Sequence, residues 1–146
     1  MSLQTFRLPA VIALSFAAGS LLTFQFMKTQ QVQAAGSHVY ELRTYHALPG
    51  RLPALQARFR DHTRRIFDQH GMTSVGYWTP QDSPASDNTL IYILSHPSRD
   101  EAKKNWAAFG ADPEWKKVAA ASEADGKIVE KVDSTFMDPT DYSALK

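Results

Sequence analysis

The sequence predicts a single α+β domain that follows an N-terminal leader. Three observations lead to this prediction: an apolar start without acidic residues, segments that alternate between strand and helix periodicity, and a length of 146 residues, which allows one domain of ordinary size. Hydrophobic residues make up 43% of the chain and charged residues 21%, a composition typical of globular proteins and not of disordered ones.

The predicted leader comprises residues 1–34. No acidic residue occurs before Glu41, and Arg7 precedes an apolar stretch over residues 8–26. One positive charge, an apolar stretch and the ending Val32-Gln33-Ala34 are typical of a secretory signal peptide that is cleaved after Ala34. The alternative is an uncleaved membrane anchor, because a helix of that length reaches about 28 Å. We therefore expect a periplasmic or secreted domain, or one anchored in the inner membrane that faces the periplasm.

Charge and cysteine content exclude several classes of function. The whole chain has 16 basic and 15 acidic residues, and the leader holds two of the basic ones, so the domain is nearly neutral. A nearly neutral composition does not require a basic face, so nucleic acid is not the expected partner. The chain has no cysteine, which excludes disulfides, thiolate metal sites, iron–sulfur clusters and cysteine nucleophiles.

The first half of the domain predicts a strand, a helix and two further strands. Aromatic and branched side chains alternate over residues 39–46, as is typical of a strand. Apolar residues at helical spacing then predict a helix over residues 51–70, which ends at Gly71. Strands are predicted over residues 73–79 and 89–95, and the polar segment between them is longer than a tight hairpin needs.

The second half predicts two helices and a last strand. Ser98-Arg99-Asp100-Glu101 has the pattern of a capping box, and the helix that it starts is expected to end at Gly110. Asp112-Pro113 starts another helix, which runs to about Ala124, with the aspartate as N-cap and the proline at the first helical position. Residues 128–137 alternate again and predict the fourth strand.

Helical crossovers between these strands predict the order βαββαβ. This order gives a four-stranded antiparallel sheet with both helical layers on one face, the ferredoxin-like plait, over residues 35–138, with residues 139–146 as a surface tail. The other sheet face would expose apolar side chains to water. An uncovered face of this kind is normally a subunit contact, and a two-fold homodimer is the simplest closed arrangement.

An ordered set of motifs resembles a known family. The motifs are Tyr40-Glu41-Leu42-Arg43-Thr44-Tyr45, Pro49-Gly50, His70-Gly71, Val75-Gly76-Tyr77-Trp78 and Ala111-Asp112-Pro113-Glu114-Trp115. In this order and spacing they resemble the NIPSNAP family, within the dimeric α+β barrel superfamily, over residues 39–137. The resemblance implies the plait and the homodimer that the periodicity also predicts.

The resemblance implies less about activity. The superfamily includes cofactor-independent monooxygenases and haem-degrading enzymes, and eukaryotic NIPSNAP relatives are mitochondrial. This sequence has one copy of the domain where the eukaryotic relatives have two, and it has Lys103 and Lys104 where arginine is common. Because the leader points to export, a mitochondrial role is not expected here.

The chain has five histidines that are candidates for catalysis or metal binding. None stands in a metal-ligand spacing, and His46 and His96 are expected at opposite ends of adjacent antiparallel strands, so we predict no metal site. His62 and His96 are the candidates for an acid/base residue if the protein is an enzyme. Otherwise the histidines are structural or lie at the surface.

Aromatic residues and one arginine are the candidates for ligand binding. Glu41 and Arg43 share a strand face, where they form a salt bridge at a dimer interface or Arg43 holds a substrate carboxylate. The aromatic residues either form a tight core or line a cavity between sheet and helices that takes a small apolar or aromatic ligand. The candidate ligand-binding residues are Arg43, Tyr45, Tyr77, Trp78, Tyr92, Trp106 and Trp115.

Three function classes follow from these observations. The first, which asks for the fewest special residues, is a homodimer that binds a small molecule or a partner without catalysis and without a cofactor. The second is a cofactor-free oxygenase for an aromatic substrate. The third is a haem-binding or haem-degrading protein, which needs a histidine or tyrosine as axial ligand.

Overall fold

The computed structural model describes residues 38–145, which form four strands and two helical layers. The strands are β1 (Val39–Ala47), β2 (Thr73–Trp78), β3 (Thr89–His96) and β4 (Val129–Met137). The helices are α1 (Leu52–Arg58), α2 (Arg64–Gln69), α3 (Arg99–Ala111) and α4 (Pro113–Ser122). The predicted leader lies outside the described residues. Within residues 38–145, no helix is long and apolar enough to cross a membrane.

The strands form one antiparallel sheet in the order β2-β3-β1-β4. Strand β1 is central and pairs with β3 and β4, in a register that sets Val39 opposite His96 and His46 opposite Thr89. His46 and His96 therefore lie at opposite ends of the paired strands, as the sequence predicts. The predicted βαββαβ plait is confirmed.

The first helical segment differs from its prediction. Between α1 and α2 the chain forms a π-helical turn over Phe59–Thr63. In such a turn the backbone hydrogen bonds join residues five apart in the chain, instead of four apart as in an α-helix. The hydroxyl of Thr63 donates to the carbonyl of Arg58, 3.1 Å away. Amphipathic spacing alone does not reveal such a turn, since the apolar stripe continues through it.

The helix caps are as predicted, but one helix end is not. The Ser98 hydroxyl accepts a hydrogen bond from the amide of Glu101 at the start of α3, and Asp112 accepts from two amides at the start of α4. The expectation that α3 ends at Gly110 is wrong, because the helix continues through Ala111. Asp112 then serves as the cap of both helices, so the break follows from the aspartate–proline pair and not from the glycine.

The two sheet faces differ in composition and exposure. Buried and half-exposed residues alternate along β3, and the buried ones face the helices. Tyr92 is fully buried there, and the rings of Tyr45, Phe59, Phe67 and Tyr77 lie within 5.2–5.9 Å of it, measured between ring centroids. We call these five rings the Tyr92 cluster. It fills the centre of the space between the sheet and the helices.

The opposite face of the sheet is incompletely covered and is apolar over β1 to β3, whereas its β4 edge carries the ion-paired His46, Lys131 and Asp133. Ile91, Ile93 and Leu42 are half-exposed, and Trp78 is 50% exposed. The sequence predicts the last residues of the chain as a surface tail. In the structure they lie next to Tyr40 and Ile93, and together these residues line a cavity of about 250 Å³. Much of this face is left to solvent in the single chain.

Candidate functional site

A buried carboxylate, that of Glu41, accepts hydrogen bonds from four side chains. Its Oε1 accepts from Arg43 Nη1 at 2.8 Å and from Ser134 Oγ at 2.7 Å. Its Oε2 accepts from Trp106 Nε1 at 2.6 Å and bonds to His96 Nε2 at 3.2 Å. The Glu41 side chain is only 1% exposed. We call these five residues the Glu41 network.

The fold brings the network together from four elements. Glu41 and Arg43 lie two residues apart on β1, and Ser134 of β4 lies opposite Arg43 in the register. His96 ends β3, and α3 begins three residues later, so that Trp106 reaches back over β1 from the third turn of the helix. Each donor therefore reaches Glu41 from a different direction.

The network keeps Glu41 ionised. Burial alone would raise the pKa of this carboxyl, but hydrogen bonds from His96, Ser134, Arg43 and Trp106 outweigh burial and lower the pKa from 4.5 to about 2. An ionised carboxylate only accepts hydrogen bonds, so Nε2 of His96 carries a proton. The other ring nitrogen, Nδ1, is buried and has no hydrogen-bond partner within the described part of the chain.

A cleft of about 420 Å³ lies against this network. Its walls include Arg43, Trp106, Phe136 of β4 and the first turns of α3, which contribute Arg99 and Lys103. The guanidinium of Arg43 lies 4.3 Å from the centroid of the Trp106 ring, and that of Arg99 lies 3.8 Å from the centroid of Phe136. Both distances are those of cation–π pairs, which hold a guanidinium in place without neutralising it.

The structure brings only some of the predicted site residues together. Arg43, Trp106 and His96 meet at Glu41. Tyr45, Tyr77 and Tyr92 belong to the Tyr92 cluster, where they pack ring against ring. Their predicted role in ligand binding stays a prediction, and the cleft does not depend on it.

Trp115 and Trp78 lie away from the cleft. Trp115 packs on Phe109 with 4.5 Å between ring centroids. Trp78 lies on the incompletely covered sheet face and folds back over Gly76, where a Cβ atom would come within 2.6 Å of the indole ring. A glycine at position 76 is therefore required for this arrangement of Trp78.

His62 lies in a separate groove of about 620 Å³ between α1, the π-helical turn and α4. Two of the polar side chains along this groove are already paired: Arg58 with Ser122 and Glu123, and Glu114 with Arg65. Among the described residues, no group of three or more histidine, aspartate or glutamate side chains is placed to hold a metal ion.

The predicted ion pair of Glu41 and Arg43 is present, with Arg43 Nη1 2.8 Å from Glu41 Oε1, and its place at a dimer interface stays a prediction. Both side chains lie on the helix-covered face, because Trp106 of α3 contacts each of them. Sequence reasoning also missed Ser134 and the cationic pair Arg99 and Lys103. The signal that was present is the placement of two charged residues at inward positions of a central strand, which requires buried partners.

These features define a class of protein: a ferredoxin-like α+β plait with a cleft at the edge of its helix-covered face. The family model described as NIPSNAP matches residues 40–144. The chain therefore belongs to the NIPSNAP family.

Solved structures agree with this assignment. The chain is 28% identical to a NIPSNAP family protein of unknown function from Agrobacterium tumefaciens strain C58, with a TM-score of 0.65 over 75% of this chain and 94% of that chain. An uncharacterised NIPSNAP-like domain protein from Burkholderia xenovorans is 16% identical, with a TM-score of 0.63 over 73% of this chain and 88% of that one.

A more distant likeness concerns the fold alone. A monooxygenase from Streptomyces coelicolor, solved with nanaomycin D, is 16% identical to this chain, with a TM-score of 0.53 over 75% of this chain and 94% of that chain. The search of curated proteins found no match.

Proposed function

We propose that this NIPSNAP protein is an exported homodimer that binds a small molecule in the cleft beside Glu41. The observation that carries the proposal is the meeting of Arg43, Trp106 and a ligand-sized cleft on one buried carboxylate. Ligand sites commonly combine an apolar wall with a few fixed polar groups in about this volume. Here the Trp106 ring and Phe136 supply the apolar wall, and the Glu41 network fixes the polar groups.

A thermal-shift screen of small molecules tests this proposal with matched tryptophan variants. Trp106→Phe removes the indole at the cleft and Trp115→Phe makes the same change away from it, so a true ligand stabilises wild type and Trp115→Phe. We expect the same ligand to lose most of its effect on Trp106→Phe. If every stabilising compound acts equally on both variants, the cleft is not the binding site.

The homodimer is proposed from the apolar sheet face. Ile91, Ile93 and Trp78 are partly or largely exposed in the single chain, and a contiguous apolar patch of this kind favours association. Two copies that pack these faces together would cover each other's apolar side chains and leave no exposed apolar face for further association. An interface of this type is expected to bury more than about 1,200 Å² in total.

Light scattering tests the dimer. Ile91→Lys places a charge in the proposed interface, whereas Ala107→Lys places the same charge on the exposed side of α3. Wild type and Ala107→Lys should have the mass of two chains at micromolar concentration, and Ile91→Lys the mass of one. A monomeric wild type would contradict the proposal.

Export is proposed from residues 1–34 alone. N-terminal sequencing of protein from the envelope fraction should begin at Ala35 if the leader is cleaved. Recovery of the intact chain from the membrane supports the anchored alternative, in which the domain still faces the periplasm. A cytosolic location would contradict both.

A second candidate function, a cofactor-free oxygenase, is favoured by the pair of Glu41 and His96. A carboxylate that holds one imidazole nitrogen while the other has no partner is an arrangement suited to a general base, and since His96 is fully buried and does not line the cleft, the reaction requires its ring to become accessible to the substrate. Such a base would take a proton from an acidic CH₂ group, and O₂ would convert that group to a carbonyl with release of water. Oxygen uptake with hydroxylated aromatic ketones that carry an acidic ring CH₂ group, present in wild type and lost in His96→Gln, would favour this function, and no uptake would count against it.

A further inference from the structure

We infer that the cleft beside Glu41 takes organic monocarboxylates with an aromatic or similarly flat body, an inference that rests on the proposed function. At the mouth of the cleft, positive charge from Arg99 and Lys103 is in excess. At its floor, the negative charge of Glu41 is already compensated by its own hydrogen-bond partners.

The cations at the mouth have spare binding capacity. Within residues 38–145, neither Arg99 nor Lys103 forms an ion pair, although both border the cleft. Arg99 is held over the Phe136 ring, which orients its guanidinium but does not neutralise it. The adjacent Lys104 differs, because it pairs with Glu101 at 2.6 Å. Lys103 and Arg99 are therefore the cations of this helix that a ligand can use.

The carboxylate at the floor does not repel a bound anion as strongly as its charge suggests. Glu41 is surrounded by four hydrogen-bonding side chains, one of which is the guanidinium of Arg43. Its charge is therefore largely compensated inside the network. The cleft also lies at the N-terminal end of α3, where the helix dipole adds positive potential.

The balance of charges around the cleft favours a single negative charge. Its cations are Arg43, Arg99 and Lys103, and its anions are Glu41 and Asp100, which leaves one positive charge in excess. A carboxylate carries one negative charge, whereas a phosphate monoester carries close to two at neutral pH. Arginine forks bind either group, so the net charge is what favours the carboxylate.

The walls favour a flat body on that carboxylate. A cleft of about 420 Å³ has room for one or two rings, and its apolar surface comes from Trp106 and Phe136. Both rings already carry a guanidinium on one face. A flat ligand can therefore contact ring edges and guanidinium planes together, which an extended aliphatic chain does less well.

The test uses three probes that share a phenyl ring and differ in charge: benzoate, benzyl alcohol and phenyl phosphate. Binding is followed through the indole N–H resonance of Trp106 in ¹H–¹⁵N NMR spectra of the full mature protein. We expect benzoate to bind with a millimolar dissociation constant and at least about tenfold more tightly than benzyl alcohol. We also expect it to bind more tightly than phenyl phosphate.

Charge-matched variants locate the anion. The double variant Arg99→Gln/Lys103→Gln removes the two unpaired cations, whereas Lys104→Gln removes the paired one next to them. Benzoate affinity should fall about tenfold or more in the double variant and stay within about twofold in Lys104→Gln. Equal loss in both variants would show general charge attraction and would overturn the inference.

Failure of this inference is distinguishable from failure of the proposed function. If a neutral compound moves the Trp106 resonance and benzoate at about 20 mM does not, the cleft binds ligands but the carboxylate class is wrong. Tighter binding of phenyl phosphate would likewise overturn the monoanion assignment. If no compound of the thermal-shift screen moves the Trp106 resonance, the proposed function itself fails.

Discussion

The helix-covered face of the sheet has two ends with opposite chemistry. At one end the Tyr92 cluster packs ring against ring around a fully buried tyrosine. At the other end the Glu41 network gathers four hydrogen-bonding side chains around a buried carboxylate, beside a cleft of about 420 Å³. The first helical segment, with Phe59 and Phe67, covers the Tyr92 cluster, and α3, with Trp106, covers the Glu41 network, so both ends lie under helices and differ in their side chains.

The two ends differ in whether they leave space for a ligand between the sheet and the helices. Rings of the Tyr92 cluster fill their own space, and their contribution is to stability. A buried charge cannot be packed in this way, because each lone pair of the carboxylate needs a donor. Gathering those donors brings Arg43 and Trp106 to the edge of the helical layer, where the cleft opens.

The largest expected effect is at the aromatic end. Phe67 is 1% exposed and contacts the rings of Phe59, Tyr92, Trp106 and Phe109. Phe67→Ala leaves a cavity that this packed cluster cannot close, so the free energy of unfolding should fall by about 4 kcal/mol. Urea unfolding measures it, and a loss below about 1 kcal/mol would show that the cluster is loosely packed.

At the polar end, Glu41→Gln should be nearly as costly. The amide keeps the shape of the side chain but turns one acceptor into a donor that faces other donors. Removing one partner of a buried charged network costs about 3 kcal/mol in free energy of unfolding. A neutral result in urea unfolding would mean that the four hydrogen bonds to Glu41 contribute no net stability.

The same carboxylate predicts an acid-dependent loss of stability. The pKa of Glu41 is lowered from 4.5 to about 2 in the folded protein, so its ionisation stabilises the fold above pH 4.5. As the pH falls from about 5 towards 2, this contribution of about 3 kcal/mol is lost. The stability gap between wild type and Glu41→Gln should therefore narrow over that range. A gap that stays constant would contradict the lowered pKa.

Two conservative substitutions give the smallest effects and the sharpest contrast between the two ends. Trp106→Phe removes an N–H that bonds the ionised Glu41 at 2.6 Å, and Tyr92→Phe removes an O–H that bonds Tyr45 only at 3.4 Å. We expect the free energy of unfolding to fall by about 2 kcal/mol for Trp106→Phe, as for the loss of a hydrogen bond to a charged group. For Tyr92→Phe we expect it to fall by less than about 0.5 kcal/mol. Equal losses in thermal or urea unfolding would remove the distinction.

Much of this architecture can be predicted from local patterns in the sequence. Period-two alternation marks the strands, and Ser98 and Asp112 mark the starts of α3 and α4, because side-chain caps act on the nearest amides. The limits are also physical. The π-helical turn at Phe59–Thr63 leaves the apolar stripe unbroken, and Gly110 is tolerated inside a helix whose end is set two residues later.

The candidate site is less predictable because it depends on long-range register. Arg43 and Trp106 were candidates on chemical grounds, but Ser134 reaches Glu41 from 93 residues further along the chain. Trp78 has the same chemistry as Trp106 and lies on the other face, since a bulge in β2 near Gly76 shifts its register against β3. The type of a side chain therefore indicates which residues could form the site. The register of the paired strands decides which of them lie at Glu41.

Native mass spectrometry of the protein purified from its own host shows whether the cleft beside Glu41 is occupied. We predict an assembly of two chains that carries an added small mass, and the added mass should be absent or much reduced for Trp106→Phe. Two chains with no added mass in wild type, in preparations gentle enough to keep the dimer together, would contradict the claim that the cleft beside Glu41 holds a ligand.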